Sequence, residues 1–429
     1  MTDYRKRIAD ALLAEKLSYM GAVLVQGPKW CGKTTTSRQA VRSEVSLEDS
    51  VKGKSNRILA QTRPDKLLEG AIPRLIDEWQ EGPLLWDAVR SAVDRGGRGM
   101  YVLTGSAVPP EIDDDEERVP RHTGTGRIAR LTMRPMSLWE SGESTGEVSM
   151  EKLFAGEDVT GAKSGLELED VCELICRVGW PGALGLSGRV ARGPAKEYYA
   201  AIVESDISRV DRTLRDPGRV DRLMRSLARL QGTQSSASVI CADMRANDSD
   251  TLTEDTVYSY LAALRRIFVT EDMRAWCPNL RCKTPLRTTD TRYYTDPSIA
   301  AAAMGLGPGD LMNDLPTLGL FFETLAVRDL RTCAEALGGS VFHYLDKSGL
   351  ECDAIVRLEN GSYGLVEVKI GGDALIEKGV KTLDSLSAKI DTTRMPSPSF
   401  RMVLVANGDI AYRRKEDGII VCPIGCLRP

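Results

Sequence analysis

Histidine is nearly missing from this chain: His122 and His343 are the two in 429 residues. Ten cysteines are present, but none falls at CxxC spacing. With so few imidazoles and thiols so scattered, neither a structural zinc site nor a disulfide framework is expected. Long apolar runs are absent too, since no stretch approaches the roughly 18 residues that span a bilayer. The first residues, MTDYRKRIADALLAEKL, carry charges throughout and lack the apolar centre of a secretory signal. They read as an amphipathic helix. Charge of one sign is not in excess either: 57 Lys and Arg face 61 Asp and Glu, a net −4. That excludes a bulk basic coat for nucleic acid but leaves room for a local basic face. A cytoplasmic protein with no membrane partner is the expectation.

What is present is a globular mixture, 42% apolar and 28% charged, long enough for two or three domains. Its most informative stretch is GAVLVQGPKWCGKTTTSRQA, residues 21–40. Ala22 to Gln26 is an apolar, β-prone run of the buried parallel kind. Gly27, Gly32, Lys33 and Thr34 then satisfy G-x-x-x-x-G-K-[ST], and TTTSRQAV can open a helix. Strand, glycine turn and helix N-terminus together aim backbone N–H groups at one point, where the helix dipole also favours an anion. Gly27, Pro28, Lys29, Trp30, Cys31, Gly32, Lys33, Thr34 and Thr35 are therefore the expected contacts of ATP. Lys33 would reach the β- and γ-phosphates, and the Thr34 hydroxyl would ligate Mg²⁺. Trp30 is either packing or a surface for the adenine or a neighbouring subunit.

A phosphate cradle needs a second strand carrying an acid, and AIPRLIDEWQ supplies one. Asp77 would hold Mg²⁺ and Glu78 would polarise the attacking water. The strand MYVLTGSA ends beside them, with Ser106 or Thr104 as a sensor of the γ-phosphate. Beyond the acidic loop EIDDDEER, the phrase RHTGTGRIARLTM places Arg127 and Arg130 at the entrance of another strand. They are either surface charge or an arginine finger for a neighbouring subunit, with Arg134 a third candidate. A finger requires a homo-oligomer, and a hexameric ring is one form it could take.

Four phrases, GPKWCGKT, RLIDEWQ, LTGSA and HTGTGRIARLTMRPMSLWESGES, resemble the AAA-type ATPase core of a widespread prokaryotic family. Its members carry a C-terminal domain of unassigned function with a PD-(D/E)xK nuclease-like pattern. The resemblance covers nearly the whole chain. It implies nucleotide roles for Gly32, Lys33, Thr34, Asp77 and Glu78, and it marks RVGWPGAL (177–184) as the lead into a middle domain.

That middle stretch is helical and locally basic: SDISRVDRTLRDPGRVDRLMRSLARLQGT has seven Arg against four Asp. Arg219, Arg222 and Arg229 fall near one helical face, with Leu223, Leu227 and Leu230 on another. Two shorter helical patterns follow, the second capped by Thr253, and then two strands around a loop bearing Arg281, Lys283 and Arg287. Three helices and a β-hairpin read as a winged helix. It either contacts the DNA backbone through wing and helix or serves as a protein-binding or lid module.

The last 120 residues place acids in a second pattern. LGLFFETLAVRDLRT sets Glu323 on an amphipathic helix, Asp353 begins a strand, and Glu367 and Lys369 share one face of the next. Asp353 and Glu367 would bind Mg²⁺, Glu323 would position metal or water, and Lys369 would steady the charge that develops on phosphodiester hydrolysis. The expected architecture is therefore α/β throughout its two ends: a P-loop AAA-type core at 1–160, a helical linker and winged helix at 161–306, and a restriction-endonuclease-like domain at 307–429. The leading function is a DNA-directed ATPase with a nuclease-like domain. The alternative is a nucleotide-dependent switch or protein-remodelling ATPase whose nuclease fold is inert.

Overall fold

The computed structural model describes residues 4–106, 124–177, 179–209, 213–245, 253–278 and 289–429. The N-terminal helix Ile8–Tyr19 buries Ala9, Leu13 and Leu17, one residue per turn on a single face. Five strands follow: β1 (Ala22–Gln26), β2 (Ser43–Ser46), β3 (Arg74–Asp77), β4 (Tyr101–Gly105) and β5 (Ile128–Thr132). They form a wholly parallel sheet in the order β2-β3-β4-β1-β5. Apolar clusters cover both faces of it, which is why β1 and β4 are nearly unbroken runs of buried residues. Because every strand runs the same way, the loop after β1, Asp77 on β3 and Ser106 after β4 emerge at one edge. That edge is where ligands bind in open α/β sheets.

A two-residue strand, β6 (Val148–Ser149), leaves this unit and joins the far end of the chain, as described below. The middle unit contains the helices Leu168–Cys176 and Gly193–Ala201, the latter running directly into the π-helical turn Ile202–Asp206. Three helices come next: Pro217–Arg229, Ala237–Arg245 and Glu254–Arg266. The Asp216 carboxylate caps the first through the Arg219 N–H, and the Thr253 hydroxyl caps the third through the Thr256 N–H. Single bridges Thr270↔Tyr294 and Met273↔Thr291 then join two extended segments, and Thr233 bridges Arg292 beside them. The expected wing residues Arg281, Lys283 and Arg287 lie outside the described residues, as does His122.

The 22-residue helix Leu315–Ala336 leads into a six-stranded sheet. Its strands are β7 (Gly339–Leu345), β8 (Glu351–Leu358), β9 (Tyr363–Lys369), β10 (Phe400–Val405), β11 (Tyr412–Arg413) and β12 (Ile420–Pro423). The order is β11-β12-β10-β9-β8-β7, antiparallel from β7 to β9 and parallel across β9, β10 and β12. The last strand, β13 (Leu427–Arg428), pairs in parallel with β6. The Thr145 N–H reaches the Gly425 carbonyl at 2.8 Å, and Lys163 bridges Ile410. Residues 144–166 thus pack on the C-terminal sheet, and the boundary expected near 160 falls inside that contact. At the opposite edge, the Trp276 N–H donates to the His343 carbonyl and the His343 N–H to the Arg274 carbonyl, so the middle unit runs along β7. Among the described residues no helix is long and apolar enough to cross a membrane.

Candidate nucleotide site and C-terminal carboxylate site

Gly27 (φ 152°) and Gly32 (φ 100°) carry the turn after β1. A Cβ on Gly27 would sit 2.1 Å from the Met133 carbonyl oxygen, which explains glycine there on sterics alone. Trp30 takes φ 64° without that excuse, a conformation that costs a non-glycine residue about 1 kcal/mol. Lys33 opens the following helix, Lys33–Gln39, and is buried; its ammonium donates to the Gly27 and Pro28 carbonyls at 3.0 and 2.8 Å. Pro28 and Cys31 are buried and Thr35 is exposed. The Cys31 carbonyl accepts from Arg7 Nη1 at 2.9 Å.

Asp77 is where the parallel strands converge. Its Oδ1 accepts the Thr34 hydroxyl at 2.8 Å and the Thr104 hydroxyl at 2.6 Å, and its Oδ2 accepts Ser46 Oγ at 3.2 Å. The helix after the loop and three neighbouring strands therefore present hydroxyl and carboxylate oxygens at one point, the hard donor set that suits Mg²⁺. Of the two expected sensors, Thr104 is committed to Asp77, while Ser106 is buried at the strand end. Glu78 adopts a left-handed conformation (φ 54°, ψ 49°) that turns it away from the strand. Burial raises its pKa, against the opposing effects of a hydrogen bond from Gln80 Nε2 and the Lys33 charge.

The three arginines separate. Arg127 is exposed, lies at the N-terminal end of β5, away from the loop, and donates to Asp94 Oδ1 at 2.8 Å. Arg130 is exposed on the same strand. Arg134, half-buried at 15% exposure, is held in ion pairs with Glu271 and Glu335, both at 2.6 Å. It is held within its own chain and is no finger in this conformation.

The middle unit reaches the loop at residues that sequence reasoning passed over. Lys29 Nζ is 2.8 Å from Asp206 Oδ1. The Trp30 ring packs 6.4 Å from Trp180 and 5.9 Å from Tyr198, centroid to centroid. Pro181 stands 3.4 Å from where a Gly32 Cβ would be. The phrase RVGWPGAL was the available signal for Trp180 and Pro181; nothing local marked Asp206 or Tyr198.

In the C-terminal unit the expected acids do meet. Lys369 Nζ lies 2.8 Å from Asp353 Oδ2 and 2.7 Å from Glu367 Oε2. The Val368 N–H donates to Asp353 Oδ2 at 2.7 Å, and the Tyr293 hydroxyl donates to Glu323 Oε1 at 2.5 Å. Burial, then the Asp353 charge, pushes Glu367 up to about 8, with Lys369 opposing. The same two causes hold Glu323 well above the usual carboxylate range. Glu367 is buried although its strand alternates, because the helix Asp373–Lys389 covers that face through Gly379. Among the described residues no group of three or more His, Cys, Asp or Glu is arranged to hold a metal ion. The Lys369 ammonium stands between the two carboxylates expected to do so.

The arrangement around β1, β3 and β4 has a counterpart in known proteins. Residues 20–141 match the AAA domain. The N-terminal unit is thus an AAA-type P-loop fold. Residues 168–310 match a domain of unknown function (DUF8612), and residues 318–427 match another (DUF4143). No curated protein matches the sequence. Among solved structures, the Walker-type ATPase PABY2304 of Pyrococcus abyssi is 16% identical, over 70% of this chain and 96% of that one, with a TM-score of 0.41. The Aeropyrum pernix ORC1 protein in complex with DNA is 14% identical, over 74% and 94%, with a TM-score of 0.26.

Proposed function

We propose that this chain is a Mg²⁺-dependent ATPase that acts on nucleic acid, with a C-terminal nuclease-like domain. The observation that carries the ATPase is the convergence of Thr34, Asp77 and Thr104 at the mouth of the glycine turn, with Glu78 beside them. Lys33 would give up its two carbonyl partners for phosphate oxygens. Thr34 and Asp77 would hold Mg²⁺, which would supply positive charge against the developing phosphate charge. Glu78, ionised, takes the proton of the attacking water. Ser106 senses the terminal phosphate, and Arg127 or Arg130 of a second copy completes the site in an oligomer.

The effector reading rests on Asp353, Glu367, Lys369 and Glu323 meeting at one edge of β8 and β9, in the PD-(D/E)xK manner. The middle unit is read as a winged helix that contacts the DNA backbone. A second reading has one observation in its favour. Lys369 is paired with both carboxylates and Glu323 is bonded to Tyr293, as an inert scaffold would be, and the chain is then a nucleotide switch.

One experiment separates them. ATP hydrolysis is measured with and without single- and double-stranded DNA, and DNA integrity is followed in the same Mg²⁺-containing tubes. Stimulation with cleavage supports the first reading. Hydrolysis that ignores intact DNA supports the switch, and no hydrolysis by the wild-type protein removes both.

A further inference from the structure

The phosphate-binding loop is held from outside its own unit. Lys29 is the third residue of the loop, and its side chain is 42% exposed; its partner Asp206 is 9% exposed and lies 177 residues further on. Asp206 closes the π-helical turn Ile202–Asp206. Such turns are rare and frequently found at functional sites. The Trp30 ring lies against Tyr198 and Trp180. The middle unit therefore engages the loop's ammonium through Asp206, while Tyr198 and Trp180 flank the indole.

A lysine ammonium in such a loop is a group that can turn toward a polyphosphate. A carboxylate carries one negative charge, whereas the phosphate tail of a nucleotide carries several within the reach of one lysine. At equal distance the more highly charged anion attracts the ammonium more strongly. We propose that Asp206 competes with the nucleotide's phosphate tail for Lys29. The pair is closed when the loop is empty, and a phosphate oxygen replaces Asp206 when nucleotide binds, which loosens the middle unit's hold on the loop. This rests on the nucleotide-binding reading of the loop.

The test uses the full chain, fluorescent ATP and ADP analogues, and hydrogen exchange over residues 193–206. Asp206→Asn keeps the shape and removes the charge. It is expected to tighten ATP-analogue binding about tenfold and to raise exchange over 193–206 without nucleotide, to the level the wild type reaches only with it. Lys29→Met breaks the same pair from the other side. It should raise that exchange equally, abolish its response to nucleotide and weaken binding. A response to the ADP analogue as well assigns the contact to the inner phosphates, and a response to the ATP analogue alone assigns it to the terminal one. Asp206→Asn affinity within twofold of wild type, or nucleotide binding that leaves exchange at 193–206 unchanged, overturns the competition. Failure of the wild type to bind either analogue is a different result: it removes the nucleotide reading itself, and this inference with it.

Discussion

Replacing Arg134 by methionine removes one cation from the place where three units meet. Arg134 donates to Glu271 Oε1 and Oε2 at 2.6 and 2.8 Å and to Glu335 Oε2 at 2.6 Å. Glu271 belongs to the middle hairpin and Glu335 to the last turn of Leu315–Ala336. Burial raises the pKa of Glu271, but the Arg134 and Arg331 guanidiniums more than offset it and bring it from 4.5 to about 2. That gap corresponds to about 3 kcal/mol. Arg331 approaches Glu271 only to 3.5 Å, so Arg134 carries the larger share. Glu271 and Glu335 are 29% and 32% exposed, and solvent relieves part of the cost of breaking the pair. Arg134→Met should therefore lose about 2–4 kcal/mol at pH 7 by urea unfolding. The pH dependence follows from the sign. A carboxylate held below its ordinary pKa stabilises the fold above about pH 4.5 and loses that effect as pH falls toward 2. The gap between variant and wild type should shrink by roughly 40% between pH 7 and pH 3.5. A loss below about 1 kcal/mol, or a gap that does not change with pH, would refute the reasoning.

Three further predictions concern the sites. Glu78→Gln should bind nucleotide within a few-fold of wild type and hydrolyse it at least about 100-fold more slowly in a single-turnover assay. Because burial raises Glu78 and the anion is the working form, the wild-type rate should climb with pH through a value above the ordinary 4.5. Gln80→Leu, which removes a donor to that anion, should move this limb to higher pH, and an unmoved limb would mean another base. Glu367→Gln and Lys369→Met should each abolish DNA cleavage and spare ATPase; cleavage that survives both places the active site elsewhere. Arg127→Ala should lower hydrolysis about 1,000-fold at concentrations where the chain assembles, and full activity there excludes it as a finger.

Local chemistry was legible and long-range contact was not. The glycine spacing, the apolar run before it and the acids after Leu75 and Ile76 mark strand ends by patterns a few residues long, and the parallel sheet collects them at one edge. Thr253 as a cap and Tyr260, Leu261 and Leu264 as a buried face follow from helical periodicity in the same way. The E-x-K of β9 is likewise a period-2 pattern, but its burial depends on Gly379 of a later helix, which alternation cannot reveal. Lys29 with Asp206, Arg134 with Glu335, and β6 with β13 join residues 177, 201 and about 280 positions apart. No local signal distinguishes those charges from solvated ones, so Arg134 reads as a finger candidate until its partners are seen.

Those long-range contacts form an unbroken series between the two sites. Arg7 donates to the Cys31 carbonyl in the loop, to the Arg134 carbonyl and to Glu140, each at 2.9 Å. Arg134 holds Glu271, which Arg331 also approaches; the Arg331 guanidinium lies 5.7 Å over the Tyr293 ring, and Tyr293 holds Glu323. Contiguity alone is not coupling, which requires an element with two states. Most links here are poorly suited to that. Arg7 and Arg134 each have two or more partners and little exposure, so breaking one bond leaves a charge still tethered by the others. Such links keep the nucleotide site and the carboxylate site at a fixed spacing. The Lys29–Asp206 pair differs: one ion pair joins a lysine that is 42% exposed to Asp206, so the ammonium regains solvent when the pair opens and only the 9% exposed carboxylate needs another partner. Motion driven by nucleotide should therefore concentrate in the turn Ile202–Asp206, while the series through Arg134 stays closed in every nucleotide state.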